Sequence, residues 1–236
     1  MGGEIALLVI DVLNYGVMPA NLNLTHIALI PKVTNPTCVT EFRPISLCNV
    51  LYKLISKLLA NRLKRVLPCL ITPTQSAFVP DRLITDNILA AYETLYTMHT
   101  RIKGKKGFMA VKLDMSKAYD RVEWGFLKET MRQMGFDPRW IHLIMMCVTT
   151  VNYSVLVNGE PCGNIKPSRG LRQGDPISPY LFLLCAEVLS YMVTHANRDG
   201  LLSGVPTSKY GPQVNHLFFA DDSLLFCRAS ISQWNI

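Results

Sequence analysis

Two apolar runs meet at a pair of adjacent aspartates near the end of the chain, and this stretch limits the possible folds more than any other. Residues 216–226 read His-Leu-Phe-Phe-Ala-Asp-Asp-Ser-Leu-Leu-Phe. Phe and Leu favour strands, whereas Asp tolerates turns, so the pattern predicts a tight β-hairpin with Asp221 and Asp222 at its turn. Adjacent carboxylates in an apolar setting repel each other unless a cation neutralises them. Mg²⁺ prefers oxygen ligands and would neutralise these carboxylates. The alternative is a solvated Asp-Asp turn, which needs no metal.

A third carboxylate follows a second apolar strand. Residues 108–114 read Phe-Met-Ala-Val-Lys-Leu-Asp, with Asp114 at the end. One face of this strand carries Met109, Val111 and Leu113. If the strand pairs with the hairpin, Asp114 joins Asp221 and Asp222 in a cluster able to hold two Mg²⁺ ions. Such ions activate an attacking hydroxyl and stabilise the leaving pyrophosphate in nucleotidyl transfer.

A third stretch, residues 169–179, reads Arg-Gly-Leu-Arg-Gln-Gly-Asp-Pro-Ile-Ser-Pro. Its two glycines permit close approach of the backbone to a ligand. With these stretches in place, the chain resembles the reverse transcriptase domain of a LINE-type (non-LTR) retrotransposon, over nearly all of its 236 residues.

The resemblance rests on five motifs in the family's order. Residues 114–119 resemble polymerase motif A, residues 171–179 motif B and residues 219–222 motif C. Residues 29–32 and 42–47 resemble the two fingers motifs that precede them. One such match has little specificity, whereas five in order at family-like intervals are specific. Phe-Ala before the aspartates is the LINE form, where retroviral enzymes usually have Tyr-Met.

The resemblance implies an α+β fold like that of right-hand polymerases. Residues 107–236 would form the palm, an antiparallel sheet backed by helices, with motifs A, B and C. Residues 1–106 would form part of a mixed α/β fingers lobe with basic helices. The thumb of the family is not matched, nor is its upstream endonuclease domain, so the chain resembles a fragment that is incomplete at both ends.

The resemblance also implies an RNA-directed DNA polymerase. The 3′-hydroxyl of a DNA primer would attack the α-phosphate of a deoxynucleoside triphosphate on an RNA template. Asp114 and Asp221 would be the principal ligands of two Mg²⁺ ions, with Asp222 as an auxiliary ligand or as a residue that tunes the charge of the site.

Five further positions are implied to bind the nucleotide. They are Lys32 and Arg43 at the triphosphate, Tyr119 beneath the sugar, and Gln173 and Gly174 beside the nascent base pair. Each has a plainer alternative: a surface cation for Lys32 and Arg43, a core aromatic for Tyr119, and a glycine-containing turn for the last two.

Template contacts are expected from Lys53 and Lys57 on a basic helix face, and from Arg82; a merely solvated face is the alternative. Asp81 stands where the family usually has Gly, and its charge would disfavour a nearby phosphate. Three further residues match family positions but are expected to cap or to form ion pairs. These are Asp120, Arg172 and Asp175.

The net positive charge is concentrated in the N-terminal half. Residues 1–112 hold 13 Lys and Arg against 6 Asp and Glu, whereas residues 113–236 hold 11 of each. A basic lobe beside a neutral lobe with acidic metal ligands suits a phosphate backbone that lies across one and reacts at the other. An ordinarily solvated basic surface is the alternative.

The seven cysteines form no Cys-x-x-Cys pair and no cluster with histidines at zinc spacing, so zinc is not expected. Their odd number and apolar neighbours predict buried, reduced thiols of an intracellular protein, nuclear if it acts in retrotransposition. The apolar run at residues 5–10 is broken by Asp11 and is too short to span a membrane, so no membrane partner is expected. Nothing in the sequence predicts an oligomeric state.

Apolar periodicity and turn residues predict the other elements. Helices are predicted at residues 3–15, 49–67 (closed by Pro68), 84–99, 122–134, 138–149 and 178–197. Strands are predicted at residues 26–31, 42–47, 152–157 and 160–165, the last two joined by the hairpin turn Asn158-Gly159. Residues 101–106 are predicted to be a basic loop.

Three other functions are weighed against the polymerase. A metal-dependent phosphohydrolase could use the same aspartates, but would need neither Tyr119 nor the Gln173-Gly174 loop. A nucleic-acid-binding module would explain the basic half but not three carboxylates at strand ends. A catalytically inert retrotransposon remnant would retain the motifs and at most bind nucleic acid. The isolated chain is itself expected to extend a primer poorly, because the family's primer grip, thumb and pyrophosphate-protonating lysine are not matched.

Overall fold

A computed structural model of the chain describes residues 2–100, 107–207 and 211–234. It divides into two compact units, residues 1–65 with 117–182 and residues 66–116 with 183–236. These units do not follow the expected boundary between a fingers part ending at residue 106 and a palm beginning at residue 107. Packing units need not coincide with polymerase lobes, so those lobes stay a prediction. The basic loop predicted at residues 101–106 lies outside the described residues.

The described ranges contain both helices and mainly antiparallel sheets, which confirms the mixed α and β fold class in its coarse form. The elements in chain order are α1 (Gly2–Tyr15), β1 (Leu24–Pro31), β2 (Phe42–Cys48), α2 (Val50–Lys64), α3 (Leu67–Leu70), α4 (Ile84–Thr100), β3 (Phe108–Asp114), α5 (Trp124–Gln133), α6 (Pro138–Thr149), β4 (Asn152–Val157), β5 (Glu160–Ile165), α7 (Ser178–Arg198), β6 (Val205–Pro206), β7 (Gln213–Val214), β8 (His216–Phe219), β9 (Asp222–Arg228) and α8 (Ile231–Trp234). Each predicted helix and strand has a counterpart here.

The first unit is built on a four-stranded sheet in the order β2-β1-β4-β5. β1 and β4 are parallel, and the other neighbours are antiparallel. Asn158 and Gly159 join β4 to β5 with φ of 51° and 86°, and positive values at both residues are what a type I′ turn requires. The predicted hairpin is confirmed. Helices α2, α5 and α6 supply fully buried side chains, among them Tyr52, Ile55, Leu59, Leu127, Met131 and Ile144.

The second unit is built on an antiparallel sheet in the order β3-β9-β8. Its apolar side chains pack in two groups. One is a cluster of Val205, Leu217 and Phe226 with Ala90, Ala91 and Met98 of α4. The other lines a cavity of about 410 Å³ and includes Met109, Val111 and Leu113 of β3 with Leu189, Met192 and Val193 of α7. The apolar face predicted for β3 is therefore confirmed, and helices α4 and α7 both back this sheet.

The helix predicted for residues 49–67 ends earlier than expected. Asn49 begins it, since the Asn49 side chain accepts a hydrogen bond from the backbone N–H of Leu51 at 2.9 Å, but α2 ends at Lys64. Pro68 does not close this helix. It lies in the first turn of α3, where the missing N–H of proline leaves no hydrogen bond unmade.

All seven cysteines are free thiols. Three are buried and one is half-buried, but Cys38, Cys69 and Cys162 are exposed, so the prediction of buried thiols is wrong for these three. One of them, Cys162, belongs to β5, whose residues are all exposed. Burial raises the pKa of the Cys147 thiol to about 12.

Among the described residues, one helix meets the length and composition of a membrane span, namely α7. Half of its apolar window is buried inside the chain, and core helices of soluble proteins meet the same criteria. The helix is weak evidence for a membrane contact.

Candidate active site

The aspartates of the two apolar stretches meet at the end of the β3-β9-β8 sheet. β3 ends at Asp114, β9 begins at Asp222, and the two residues are directly opposite each other in the antiparallel register. Opposite residues on neighbouring strands have Cβ atoms about 4.5–5.5 Å apart on the same face of the sheet. Both side chains are exposed. The strand pairing that the sequence predicts therefore brings two carboxylates side by side.

A two-residue turn adds the third carboxylate. Ala220 and Asp221 connect β8 to β9, and Phe219 pairs with Asp222 across the turn. Ala220 has a φ of 53°, and Asp221 is not among the residues with positive φ. Positive φ at the first central residue alone is typical of a type II′ turn, which favours Gly there. Asp222 is thus the first residue of a strand, and the prediction that both aspartates occupy the turn holds only for Asp221.

A lysine lies on the same face of the sheet as these carboxylates. Lys112 precedes Asp114 by two residues on β3, so the two side chains point to one face. The Nζ of Lys112 lies 3.3 Å from Oδ1 of Asp222, and the two side chains are 66% and 61% exposed. Lys112 was not among the residues predicted for the site, although the alternation of strand side chains places it beside Asp114.

The three aspartates supply the oxygen donors that a hard divalent cation prefers, and the strand register sets two of them opposite each other. They are not gathered around one position: over residues 2–100, 107–207 and 211–234, no group of three or more His, Cys, Asp or Glu side chains is arranged to hold a metal ion. The predicted three-carboxylate cluster is therefore not assembled in this conformation, in which Asp222 pairs with Lys112. The carboxylate oxygens of the three aspartates suit a divalent cation. Asp222 would have to give up its ion pair with Lys112 to bind one.

The two cations predicted to bind the triphosphate lie on the β1–β2 hairpin. Arg43 pairs with Ile30 in the register, and Lys32 follows Ile30 by two residues, so Arg43 and Lys32 share a face. Both are exposed. The Lys32 ammonium donates to the backbone carbonyl of Thr40 at 3.0 Å. The hairpin therefore presents two neighbouring positive charges to solvent.

The loop that carries Gln173 and Gly174 is fixed to β2. The backbone N–H of Ser46 donates to the carbonyl of Gln173 at 2.8 Å. Gly174 has a φ of 103°, and a Cβ at this position would lie 3.1 Å from the carbonyl oxygen of Ser46. Gln173 also lines a cavity of about 120 Å³ together with Pro44 and Ser46. The positive φ and this close approach both favour glycine, and the approach here is to protein backbone.

Tyr119 is half-buried and stacks on an aromatic of α7. Its ring lies 5.0 Å from the ring of Phe182 at an interplanar angle of 8°. The backbone carbonyl of Tyr119 accepts a hydrogen bond from the N–H of Leu171 at 2.8 Å. The segments that resemble motifs A and B are thus joined through Tyr119. A stacked, half-buried ring is compatible both with a core role and with a floor for a ligand.

Arg172 and Asp175 form an ion pair in the core of the first unit, as the expected structural role requires. The Arg172 Nη2 lies 2.7 Å from Oδ2 of Asp175, and the side chains are 3% and 2% exposed. The Tyr52 hydroxyl donates to Asp175 at 2.6 Å, and the Arg172 guanidinium donates to the carbonyl of Cys147 at 2.9 Å. Arg172 and Asp175 therefore have a structural role in the first unit.

The three residues predicted to contact the template are placed differently from one another. Lys57 of α2 is exposed, and Lys53 on the same helix is half-buried. The Arg82 guanidinium instead donates to backbone carbonyls of its own loop: Ile71 at 2.7 Å, Thr72 at 2.5 Å and Gln75 at 2.7 Å. Arg82 holds this loop together, and its template contact stays a prediction. Asp81 has a φ of 62°, a conformation that glycine adopts without strain, which is a physical reason for Gly at this position in the family.

The predicted site residues fall into two sets. Asp114, Asp221 and Asp222 belong to the second unit. The nucleotide-binding candidates belong to the first unit and are Lys32, Arg43, Tyr119, Gln173 and Gly174. In the second unit strand pairing sets Asp114 opposite Asp222, and in the first unit a backbone hydrogen bond joins the Gln173-Gly174 loop to β2.

Comparison with known families gives a match over most of the chain. Residues 30–234 match the family described as reverse transcriptase (RNA-dependent DNA polymerase). The match includes all three aspartates and all five nucleotide-binding candidates.

Individual relatives are similar over comparable ranges. The chain is 29% identical over 215 residues to the retrovirus-related Pol polyprotein from type-2 retrotransposable element R2DM of Drosophila melanogaster, covering 89% of this chain and 19% of that protein. It is 28% identical over 210 residues to an uncharacterized 149 kDa protein of transposon TX1 from Xenopus laevis, covering 89% of this chain and 15% of that protein. A shorter match, 56% identical over 68 residues, is to an uncharacterized mitochondrial protein of Arabidopsis thaliana, covering 29% of this chain and 56% of that protein. The chain therefore spans only part of the length of each relative.

Proposed function

Because the chain belongs to the reverse transcriptase family, whose match covers residues 30–234, we propose that it is the catalytic core of an RNA-directed DNA polymerase of a LINE-type (non-LTR) retrotransposon. The observation that carries the proposal is the pairing of Asp114 with Asp222 beside the Asp221 turn. In this proposal the β3-β9-β8 sheet with its backing helices belongs to the palm, and the β1–β2 hairpin belongs to the fingers. The proposed site of action is intracellular, in the nucleus if the chain acts in retrotransposition.

Asp114, Asp221 and Asp222 are the proposed ligands of two Mg²⁺ ions. Bound there, the ions would supply activation of the primer 3′-hydroxyl and stabilisation of the leaving pyrophosphate. The chain contributes the placement of the carboxylates at the ends of paired strands, which fixes two of them by backbone hydrogen bonds rather than by a mobile loop. It also contributes Lys112, whose ammonium pairs with Asp222 and partly compensates its charge.

The first unit supplies the proposed nucleotide contacts. Arg43 and Lys32 share one face of the β1–β2 hairpin, where a planar guanidinium and an ammonium suit the oxygens of a triphosphate. Tyr119 would lie beneath the deoxyribose, and the Gln173-Gly174 loop beside the nascent base pair. Lys53, Lys57 and Arg82 are the proposed contacts to the RNA template, and a DNA primer completes the substrate.

A second candidate is a catalytically inert remnant that at most binds nucleic acid. The specific observation in its favour is the Lys112–Asp222 pair, together with the lack, among the described side chains, of a group arranged to hold a metal. The basic N-terminal half would still attract a phosphate backbone, with an affinity that falls steeply as salt rises.

Single-nucleotide addition separates the two candidates. With the chain in excess over an RNA template annealed to a DNA primer, in Mg²⁺, we expect salt-sensitive binding and slow addition of one matched deoxynucleotide. Asp114→Asn and Asp221→Asn should abolish addition and leave binding intact, because each removes a metal ligand and retains the shape of the side chain. Asp199→Asn, which alters an exposed carboxylate of the same unit, should leave both unchanged.

The possible results separate clearly. Addition that survives both Asp114→Asn and Asp221→Asn would contradict the proposal. Binding without any addition by the unaltered chain would favour the inert remnant.

Substitution of Tyr119 distinguishes the proposed polymerase from a phosphohydrolase, which would not need this residue. In a longer protein that extends this chain with a family thumb and supports synthesis, Tyr119→Ala should raise ribonucleotide incorporation relative to deoxynucleotide, since the ring no longer excludes the 2′-hydroxyl. A difference of about 1.4 kcal/mol between the two transition states corresponds to a tenfold change in the ratio. Tyr119→Phe keeps the ring and should keep the ratio. If Tyr119 is only a core aromatic stacked on Phe182, Tyr119→Ala will lower both rates together and leave the ratio unchanged.

A further inference from the structure

A buried glutamine contacts the turn that carries the aspartates. Gln75 is 2% exposed. Its Oε1 accepts one hydrogen bond from the backbone N–H of Ala77 at 2.9 Å and a second from the backbone N–H of Ala220 at 3.1 Å. Ala220 directly precedes Asp221. The Gln75 side chain therefore holds the first residue of the turn that presents the carboxylates.

We propose that Gln75 is a positioning residue for the Asp221-Asp222 turn, and this inference rests on the proposed polymerase function of those aspartates. Ala220 has a φ of 53° in a position that favours glycine, so its backbone conformation carries a steric cost. A hydrogen bond to the N–H of Ala220 compensates for that cost and selects this conformation over alternatives. The turn contains only two residues, so a shift at Ala220 moves Asp221 with it.

The loop that carries Gln75 is attached to the hairpin by backbone bonds as well. The N–H of Phe218 donates to the carbonyl of Thr74 at 2.8 Å, and the N–H of Ser76 donates to the carbonyl of Phe218 at 3.3 Å. The side chain of Asn87 donates to the same Phe218 carbonyl at 2.7 Å. The loop therefore extends the sheet beside β8, and the Gln75 side chain reaches beyond this pairing to the turn itself.

Arg82 fixes the loop from its other side. Its guanidinium donates to three backbone carbonyls of residues 71–75, including that of Gln75 itself at 2.7 Å. Arg82 thus acts on the aspartates through this loop, which contacts their hairpin by its backbone as well as by the Gln75 side chain. This gives Arg82 a position in the site without requiring it to touch nucleic acid.

The orientation of the Gln75 amide is set by its neighbours. Two backbone N–H groups face Oε1, and exchanging oxygen and nitrogen would bring donors against donors. Its Nε2 is buried and has no hydrogen-bond partner among the described residues. A buried donor without a partner is unfavourable. The Gln75 side chain therefore contributes through its Oε1 acceptor, although its Nε2 donor makes no hydrogen bond among the described residues.

Amide hydrogen exchange in the full chain tests the proposal. In the unaltered chain, we expect the Ala220 amide to be protected. Gln75→Met keeps the length and removes the acceptor, and it should accelerate exchange at Ala220 roughly fivefold more than at Phe218, in line with the net strength of one hydrogen bond. Phe218 is the internal reference because its N–H is bonded to Thr74 in the same hairpin. Ser76→Ala, a change of the neighbouring buried residue whose hydroxyl has no hydrogen-bond partner in the described structure, should alter neither amide.

A titration with Mn²⁺ adds the functional readout. Gln75→Met should weaken Mn²⁺ binding roughly fivefold, because the Asp221 turn is no longer held, while Ser76→Ala should leave it unchanged. Equal acceleration at Ala220 and Phe218 would overturn the proposal, since it would show only a general loss of stability. An Ala220 amide that exchanges freely in the unaltered chain would overturn it as well, whether or not Gln75→Met folds. If the unaltered chain binds no Mn²⁺, the proposed polymerase site fails, while the exchange at Ala220 still decides the role of Gln75.

Discussion

Asp175 in the first unit and Asp222 in the second are each paired with a cation, yet their surroundings differ. Asp175 and Arg172 are 2.7 Å apart and almost fully buried. Asp222 and Lys112 are 3.3 Å apart, and about two thirds of each side chain is exposed. Both aspartates lie in segments that resemble polymerase motifs. Motif membership alone therefore does not distinguish an aspartate that holds the fold together from one that is available to a ligand.

The neighbours of the two carboxylates explain the difference. Asp175 accepts hydrogen bonds from the Tyr52 and Ser56 hydroxyls and from the N–H of Ile177, so its charge is compensated in the absence of water. Asp222 faces Asp114 across the strand pair, and like charges directly opposite each other are unfavourable. A single exposed lysine compensates this repulsion only in part. Asp114 and Asp222 therefore carry negative charge that is only partly compensated, whereas the charge of Asp175 is compensated.

Burial also shifts the pKa values of two residues around Asp175, Tyr52 and Arg172. Burial, with the nearby charge of Asp175, raises the pKa of Tyr52 well above its usual range, so the hydroxyl stays protonated and can donate. Burial by itself lowers the pKa of Arg172, but its interactions with Tyr52 and Asp175 outweigh this effect and raise the pKa overall. The Arg172 guanidinium thus stays ionised across the physiological range.

The largest effect is expected from Asp175→Ala. Removing one partner leaves the Arg172 guanidinium buried without its counter-charge, which typically lowers the free energy of unfolding by about 3–5 kcal/mol. Denaturant unfolding followed by circular dichroism measures the loss. Asp222→Ala is the matched variant and should change the unfolding free energy by less than about 1 kcal/mol, because its charge is exposed. Similar losses from both variants would remove the distinction between the two regions.

A somewhat smaller effect is expected from a buried histidine of the second unit. Burial lowers the pKa of His216 from 6.5 to about 4. Its Nε2 lies 2.7 Å from the Ser190 hydroxyl and 2.8 Å from the Thr74 hydroxyl. The unfolded chain therefore binds a proton more readily than the folded chain. The stabilising contribution is complete above pH 6.5 and is lost as the pH falls through the range from 6.5 to 4, by about 3 kcal/mol in total.

Unfolding free energies at pH 7 and pH 5 measure this contribution. His216→Gln removes the titrating group, so the variant should lose less stability between the two pH values than the unaltered chain. His99→Gln changes an exposed histidine of the same unit and should keep the unaltered pH dependence. A His216→Gln variant with the full pH dependence would show that groups other than His216 cause it. Glu187 is not such a group, because burial raises its pKa and its contribution to stability therefore increases as the pH falls.

The sequence predicted the elements because their signals are local. Asn158-Gly159 specifies its own turn, and Asp137 caps α6 through a hydrogen bond from the N–H of Arg139 at 2.8 Å. The position of Asp114 next to Asp222 was also within reach of the sequence, because apolar alternation gives each strand a face and the carboxylates lie at strand ends. The family motifs supplied the remaining candidates for the site.

The contacts that decide the roles of these residues were not predictable in the same way. The hydrogen bond from Ala220 to Gln75 joins residues 145 positions apart, and no local pattern announces it. Arg82 is predicted to contact the template, and the hydrogen bonds of its guanidinium to three carbonyls of its own loop were not foreseen. The exposure of Cys162 was likewise not foreseen, because burial depends on what covers a strand. Motif position predicted where a residue lies, and tertiary packing determined what it contacts.

The smallest effect is expected from Lys112→Met. The direction of its effect on Mn²⁺ binding distinguishes the exposed Lys112–Asp222 pair from the buried Arg172–Asp175 pair. Because the Lys112–Asp222 pair is exposed, its loss should lower the unfolding free energy by at most about 1 kcal/mol. The same ammonium competes with a metal ion for Asp222, so its removal should strengthen Mn²⁺ binding about threefold at low ionic strength. Isothermal titration calorimetry measures this change, and the difference between the variant and the unaltered chain should shrink at high salt because salt screens exposed charges. Lys128→Met, which removes an exposed lysine of α5, should leave Mn²⁺ binding unchanged. Weaker Mn²⁺ binding by Lys112→Met would mean that Lys112 helps to form the metal site. Asp222 would then resemble Asp175, whose partner Arg172 has a structural role in the first unit.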